Sequence, residues 1–427
     1  MSKADDLYEF ASGYLVGGLC GSGRLNHALG QPFYVTQGEG SKVYDLEGRE
    51  YVDLHMSFGA SFLGHGHPRV RAAIAKALDL GIICSHETPY HSRLAKKLVD
   101  ILPCADLVRF TMSGTETTYY LLRLAREYTG KDKIVKFEGH FHGYHDYSQY
   151  NHTPAPGQGL PNICRESGGV PKGLDDLVIV LPFNNLERLE ETLVSRSDEI
   201  AAVILEPINY NGGGIRPRPG YLEAMRDLTT ANDVVLIFDE ILSAFRTGPG
   251  CAQAYLGVTP DLCAVGKALG GGMPISVFAG KREIMADIAP LGQAQHSGTY
   301  PGHLTAVMAA NAVLDEITQF DFYEKLLGRC DDLYEGIREI IARTGVKCWL
   351  QAIGAEFCLL FGLDEEPTDY ATVAQSDTRL LHQFFAAALR HGIHFHSGLH
   401  LSMSSAHTKE DVDRALEGIE AAIREIV

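Results

Sequence analysis

The chain has no surplus of basic residues: 37 Lys and Arg stand against 54 Asp and Glu, a formal charge of −17. That balance excludes a general nucleic-acid binder, because phosphate binding is driven by cationic side chains that displace counterions. It leaves room for an anionic small molecule, since one buried Arg is enough for a carboxylate. No apolar run approaches the roughly 20 residues that span a bilayer. The opening Met1-Ser-Lys-Ala-Asp-Asp lacks the basic-then-apolar order of a signal peptide. The nine cysteines are scattered and include no Cys-x-x-Cys pair, so neither a disulfide framework nor a zinc ribbon is expected. There are no internal repeats and no low-complexity tracts. A cytoplasmic location, with no membrane and no nucleic-acid partner, is the expectation.

What is present is ordinary for a globular protein: 427 residues, 45% apolar and 21% charged, a length that suits two domains. Residues 42–54 read as two short strands around a Glu47-Gly48 turn. From about residue 69 helix and strand alternate. Residues 116–128 have helical spacing, 133–137 make a strand, and 177–181, 200–205 and 234–238 are short apolar runs. Runs of that kind between helices suit a parallel sheet buried on both faces. The last hundred residues differ. Stripes at Leu326, Cys330, Leu333, Ile337 and Ile341, and at Leu381, Phe385, Ala388 and Leu389, predict helices, with strands at 355–361 and 393–396. A final helix opens at Thr408 with Asp411 as its capping-box partner and buries Val412, Ala415, Ile419, Ile423 and Ile426. These elements predict a small α+β domain beside a larger α/β domain. Residues 151–176, with four Pro and five Gly, read as a long surface loop of the kind that often forms a lid.

Phe238-Asp239-Glu240 closes one apolar run, and Gly266-Lys267 follows another, Leu262-Cys263-Ala264-Val265, 28 residues on from Asp239. Ligands bind beyond the carboxyl ends of parallel strands, so both side chains are expected at the mouth of a cleft. A carboxylate there can keep a pyridinium nitrogen protonated, and a desolvated lysine can act as a Schiff-base nucleophile. Taken singly, each also has an ordinary reading, a turn residue for Asp239 and a solvated charge for Lys267. Ser113-Gly114-Thr115-Glu116 stands where a helix begins and suits a phosphate, although Ser before Glu is also plain capping chemistry. It lacks a P-loop lysine and a dinucleotide fingerprint, which weakens ATP and NAD readings. The three histidines of Gly139-His140-Phe141-His142-Gly143-Tyr144-His145 suggest a metal, but they include no helical i, i+4 pair. An aromatic residue at that strand exit can stack on a flat ring instead.

Residues 20–427 resemble a class III, fold-type I aminotransferase, in the branch with glutamate-1-semialdehyde 2,1-aminomutase and β-amino-acid aminotransferases. The motifs YDLEGREYVDL (44–54), FLGHGHP (62–68), SGTE (113–116), GHFHG (139–143), LEP (205–207), FDE (238–240), GKALGGGMP (266–274), SGTY (297–300) and SSAHTKED (404–411) carry the likeness. The resemblance implies a large domain, 69–322, that binds pyridoxal 5′-phosphate (PLP) on a mostly parallel central sheet. It implies a smaller α+β domain formed by segments 1–68 and 323–427. Position by position, it implies that Lys267 carries the cofactor as a Schiff base and Asp239 contacts its ring nitrogen. Ser113, Gly114 and Thr115 would bind the phosphate, Phe141 would stack on the ring with His142 beside it, and Glu206 would lie beneath. Thr299 would reach the phosphate of the neighbouring subunit in a homodimer, and Arg24 would grip a substrate carboxylate. No metal is implied. The activity implied is amino-group transfer between a small amino acid or amine and a keto acceptor. An aminomutase, a racemase or an ammonia-lyase would use the same site, and a non-catalytic PLP-fold binding protein is the reading from another class. Near residues 393–403 the aminomutases carry a glutamate that this sequence lacks, and His394, His396 and His400 stand there instead. If those histidines line the pocket, they are expected to add hydrogen bonds or positive charge toward an anionic substrate.

Overall fold

The computed structural model describes residues 2–81, 83–396 and 398–427. The chain divides into two compact units, one of Met1–His67, Glu324–Glu365 and Ser376–Val427, the other of Pro68–Tyr323 and Glu366–Gln375. In the first unit β1 (Val35–Glu39), β2 (Lys42–Asp45) and β3 (Glu50–Asp53) form an antiparallel ribbon, with the two later strands where the sequence predicts them.

The second unit is built on seven strands: β4 (Leu107–Thr111), β5 (Lys133–Phe137), β6 (Val178–Leu181), β7 (Ile200–Leu205), β8 (Val235–Glu240), β9 (Leu262–Val265) and β10 (Ser276–Gly280). Their order across the sheet is β4-β10-β9-β8-β7-β5-β6. All neighbouring pairs are parallel except the two made by β10. Every residue of β7, β8 and β9 is buried, as the continuous apolar runs require of strands covered on both faces. From β5 the chain steps outward to β6, then returns to the other side of β5 and proceeds through β7, β8 and β9. The sheet therefore has its switch point between β5 and β7, where open parallel sheets form their ligand crevice. The helix Gly114–Thr129 is two residues longer at its start than the spacing predicts.

Back in the first unit, β11 (Cys348–Ile353), β12 (Glu356–Phe361), β13 (Ile393–His394) and β14 (Leu401–Ser402) complete the strands. β13 joins β3 in parallel, and β11-β12-β14 form a second small sheet. The strand expected at 393–396 is therefore only two residues long. The last helix, Lys409–Ile426, carries the capping box of Thr408 and Asp411. Asp411 also accepts a 2.8 Å hydrogen bond from the Ser41 hydroxyl, which ties the helix to the N-terminal ribbon. Among the described residues no helix is long and apolar enough to cross a membrane.

Ile237 lies in the middle of β8 with no exposed surface, whereas Ile426 is half-buried in the last helical turn. Ile237→Ala is expected to cost about 2–5 kcal/mol, through lost burial and the cavity left behind. Ile426→Ala should cost well under that. Thermal unfolding of the two variants side by side checks the difference, and equal losses would contradict the packing described.

Candidate active site

Asp239 is delivered by β8 with 3% of its surface exposed. One carboxylate oxygen accepts the N–H of Ile241 at 3.1 Å, and the other lies 2.7 Å from Nδ1 of His142, itself 2% exposed. Burial holds the His142 imidazole neutral, with its pKa well below the usual histidine value. In that state Nδ1–H donates to the carboxylate. Burial also pushes the Asp239 carboxyl up to about 7, against the lowering effects of the Ile241 N–H and the Lys267 charge. A carboxylate in such surroundings has few cations to answer it, which makes it a good place for one.

Lys267 opens a short helical turn, Lys267–Gly270, directly after β9, and it does so at φ +43°. A side-chain-bearing residue takes that conformation only where the surroundings impose it. Gly266 shows how tight those surroundings are: a Cβ there would lie 2.5 Å from the Ser276 hydroxyl and 2.8 Å from Ile241 Cδ1. Glycine is required on the approach, and the lysine is aimed from a fixed turn.

The loop leaving β5 supplies the next parts. Thr118, one turn into the helix Gly114–Thr129, donates its hydroxyl to the carbonyl of His142 at 2.6 Å. The Thr115 hydroxyl accepts the N–H of Tyr144 at 3.1 Å. Gly143, at φ +96°, passes so close that a Cβ would meet Thr115 Cα at 2.6 Å. The loop is thereby fastened to the start of the helix. Ser113 acts there as the N-cap, its hydroxyl accepting from Glu116 N–H at 3.2 Å. The ordinary capping role is thus real, and the first N–H groups at Gly114 and Thr115 are still left without intrahelical acceptors, as at any helix start.

Phe141 donates its backbone N–H to Glu206 at 2.8 Å, and its ring packs against Tyr144 and His152, with centroids 5.2 and 5.6 Å away. Glu206 follows β7, is 2% exposed and also accepts from Asn211 Nδ2 at 2.9 Å. Burial, reinforced by the neighbouring Asp239, pushes its carboxyl up to about 8, so it keeps its proton at neutral pH. The structure thus brings Ser113, Gly114, Thr115, Phe141, His142, Glu206, Asp239 and Lys267 to one end of the second unit's sheet. Thr299 is exposed in the same unit, in a stretch outside helix and strand. Arg24 belongs to the first unit, in the short turn Ser22–Arg24, and is exposed there.

The three histidines of 139–145 have different partners. His140 Nδ1 accepts the Glu206 N–H at 3.0 Å, His142 holds Asp239, and His145 Nε2 lies 3.2 Å from the Thr118 hydroxyl. Among the described residues no group of His, Cys, Asp and Glu is arranged to hold a metal. Thr118, His152 and Asn211 escaped sequence reasoning. Each is an unremarkable residue in a helix or turn, and only the fold gives it a partner. Lys136 escaped too: it is fully buried in β5, donates to the Tyr150 carbonyl, and is lowered to about 7 by burial.

In the first unit, His394 and His65 both bind the buried Asp53, at 2.8 and 2.7 Å. Burial would raise Asp53, but these hydrogen bonds hold it well below the usual carboxylate range. Burial and the neighbouring His394 lower His396 to about 4. The expected positive charge at His396 is therefore missing at neutral pH.

The chain belongs to the class III aminotransferase family, whose model matches residues 26–423. It is a PLP-dependent enzyme on the fold-type I scaffold. It is 37% identical to glutamate-1-semialdehyde 2,1-aminomutase 2 of Brevibacillus brevis over 429 residues, 99% of this chain and 98% of that protein. The crystal structure of an ω-transaminase from Sphaerobacter thermophilus is similar at TM-score 0.94 and 29% identity, covering 100% of this chain and 98% of that one. A transaminase with PLP bound gives TM-score 0.91 and 26% identity over 99% of this chain and 97% of that one.

The raised Asp239 carboxyl has a stability signature in the cofactor-free protein. Its proton is bound more tightly in the folded chain, so its contribution is fully present below the unfolded pKa of roughly 4 and is lost as pH rises toward 7. Asp239→Asn, which can still accept from His142, removes that dependence. The variant should gain stability relative to the parent between pH 4 and about 7, with no further gain above. Melting temperatures of the two cofactor-free proteins across this range check the sign, and a gap that narrows with rising pH would contradict it.

Proposed function

We propose that this enzyme transfers an amino group from a small, carboxylate-bearing amino acid or amine to a keto acceptor. The observation that carries the reading is the buried Asp239–His142 pair within reach of the Lys267 charge. PLP, when bound, supplies a protonated ring that takes up the electron pair left when a proton leaves the substrate carbon. Asp239 keeps the proton on the ring nitrogen, and His142 fixes which carboxylate oxygen faces it. Because both are dry, a positive ring nitrogen there would draw the carboxyl to its ionised form. Lys267 would hold the cofactor covalently, and its freed amine would carry the proton from the substrate carbon to the cofactor carbon it had been bonded to, which is what moves the amino group.

Ser113, Gly114 and Thr115 hold the phosphate at the helix start, and Phe141 covers the ring through its face, for which no hydroxyl is needed. Glu206, protonated beneath, anchors the Phe141 backbone without adding a second negative charge beside Asp239. Arg24 grips the substrate carboxylate. The partner subunit's Thr299 completes the phosphate site, so the working form is a homodimer. In this reading the second unit is the cofactor-binding domain and the first is the small domain.

An aminomutase is the second reading, favoured by the 37% identity to such an enzyme over almost the whole chain. It differs in needing no separate acceptor. Lys267→Ala is expected to abolish both turnover and the visible absorption that borohydride bleaches, while the chain still folds. With the parent enzyme, sustained turnover should require an added keto acceptor. A borohydride-reducible adduct in the variant would remove Lys267 from its role, and full turnover of a single substrate without acceptor would favour the aminomutase.

Thr299 is tested by mixing subunits. If Thr299→Ala is severely impaired alone, combining it with Lys267→Ala chains should leave each mixed dimer one intact and one doubly damaged site. Recovery of activity that neither parent shows is expected. Its absence, with mixed dimers demonstrated by mass, would assign Thr299 to its own subunit's site.

A further inference from the structure

β8 ends in two carboxyl-bearing residues, Asp239 and Glu240, and only the first has a task so far. Successive side chains of a strand point to opposite faces, so Glu240 turns away from the side that Asp239 serves. It has no exposed surface. One of its oxygens accepts Nε2 of Gln253 at 2.9 Å. The other accepts the Ala252 N–H and, at 3.3 Å, the Ser243 hydroxyl. All three partners donate, which is the arrangement an ionised carboxylate makes. Burial works against it and pushes the carboxyl up to about 7. Gln253 is 1% exposed, and its own oxygen accepts the Cys104 N–H at 2.9 Å. That fixes the orientation of the amide: its oxygen serves Cys104 and its nitrogen serves Glu240.

These partners join the segments that carry the site. Ser243, Ala252 and Gln253 lie on the connection from β8 to β9, which passes through the buried Phe245 and Cys251 at φ +62° and +59°. Side-chain-bearing residues keep that conformation only where their surroundings impose it. Cys104 lies just before β4, and β4 leads to Ser113 and the helix start. Within the sheet Asp239 pairs with Ala264 and Glu240 with Val265, and Gly266-Lys267 follow directly. The Glu240 carboxylate therefore fastens the ends of β8 and β9 at the rung nearest the lysine.

We infer that Glu240 is a positioning residue: from the reverse face of the sheet it fixes the spacing between Asp239 and Lys267, and so the seat of the cofactor. The inference rests on the reading that Asp239 and Lys267 hold PLP.

A donor–acceptor swap tests it. In Glu240→Gln the new amide oxygen can still accept from Ala252 and Ser243, but its NH2 group meets the NH2 of Gln253. One buried contact is then donor against donor. The double variant Glu240→Gln/Gln253→Glu restores the set, because the new carboxylate accepts both from that NH2 group and from the Cys104 N–H. The readouts are the equilibrium dissociation constant of PLP and the circular dichroism of the bound cofactor's visible band, which reports its seating. Glu240→Gln should raise the constant about tenfold and alter the band, and the double variant should return to within about threefold of the parent. Leu193→Ala, in the buried face of the helix Leu186–Arg196, should lower the melting temperature and leave both readouts at parent values. Far-ultraviolet circular dichroism identifies the folded variants, and if the double variant does not fold, the contrast between Glu240→Gln and Leu193→Ala decides. Parent-like readouts in Glu240→Gln overturn the inference. So does a folded double variant no better than the single one, or an equal change in Leu193→Ala. Asp239→Asn is measured in parallel, and parent-like readouts there overturn the reading of Asp239, a failure distinct from that of Glu240.

Discussion

The site is organised around a carboxylate that water cannot reach. Asp239 ends a fully buried strand, and its two oxygens are held by one backbone N–H and one neutral imidazole. Removing a carboxylate from water is costly unless a positive charge or several hydrogen bonds replace the lost solvation. Two donors and the charge of Lys267 do so only partly, which is why burial still dominates the carboxyl's proton affinity. The protein therefore holds an electrostatic demand that a cationic ring nitrogen satisfies. In the proposed reading such a carboxylate would favour a cationic ring nitrogen and would hold its proton in place while the substrate's carbon is deprotonated.

The other parts follow from keeping that carboxylate in place. His142 can hold Asp239 only if the loop leaving β5 is fixed, and Thr118 fixes it through the His142 carbonyl. Gly143 is needed because the loop must pass within contact distance of Thr115, at the start of the helix that follows β4. Glu206 holds the same loop from the other side through the Phe141 N–H. Its raised proton affinity is a consequence of sharing a dry space with Asp239, since two adjacent negative charges there would repel. The helix start, the loop and the strand ends are one hydrogen-bonded assembly, and the switch point between β5 and β7 is where the sheet leaves room for it.

Much of this was legible in the sequence, for identifiable reasons. Strands buried on both faces are written as unbroken apolar runs, so β7 and β8 could be placed almost to the residue. A capping box is a local signal, and Thr408 with Asp411 gave the last helix its start. β10 and β11 were not read: SVFAG and CWLQAI do not alternate cleanly between apolar and polar residues. The residues around Asp239 and Lys267 could be nominated by chemistry and resemblance. Thr118 and Asn211 could not, because a hydroxyl or an amide in a helix or turn gains its meaning from a partner brought close by the fold. Lys136 is the extreme case, an apparently solvated charge in the sequence that proves to have no exposed surface.

The histidines near residue 400 show where composition misleads about charge. Read along the chain, His394, His396 and His400 suggest a positive cluster suited to an anion. In the fold one of them is committed to Asp53, and another is stacked on His55 and kept neutral by burial. A histidine is a cation or an aromatic ring depending on its solvation, and sequence alone does not state which. This bears on the two likenesses of the chain. The chain is 37% identical to an aminomutase, and its fold is shared by transaminase and aminomutase structures alike, so both readings use the groups around Asp239 and Lys267 proposed above. What separates them is which molecule accepts the amino group, a matter of substrate retention and recognition and not of cofactor chemistry. The segment whose sequence departs from the aminomutase pattern is the one that carries His394, bound to Asp53, and His396, kept neutral by burial. In the proposed reading this segment bears on which substrate is held, and the groups nominated for the cofactor do not depend on it.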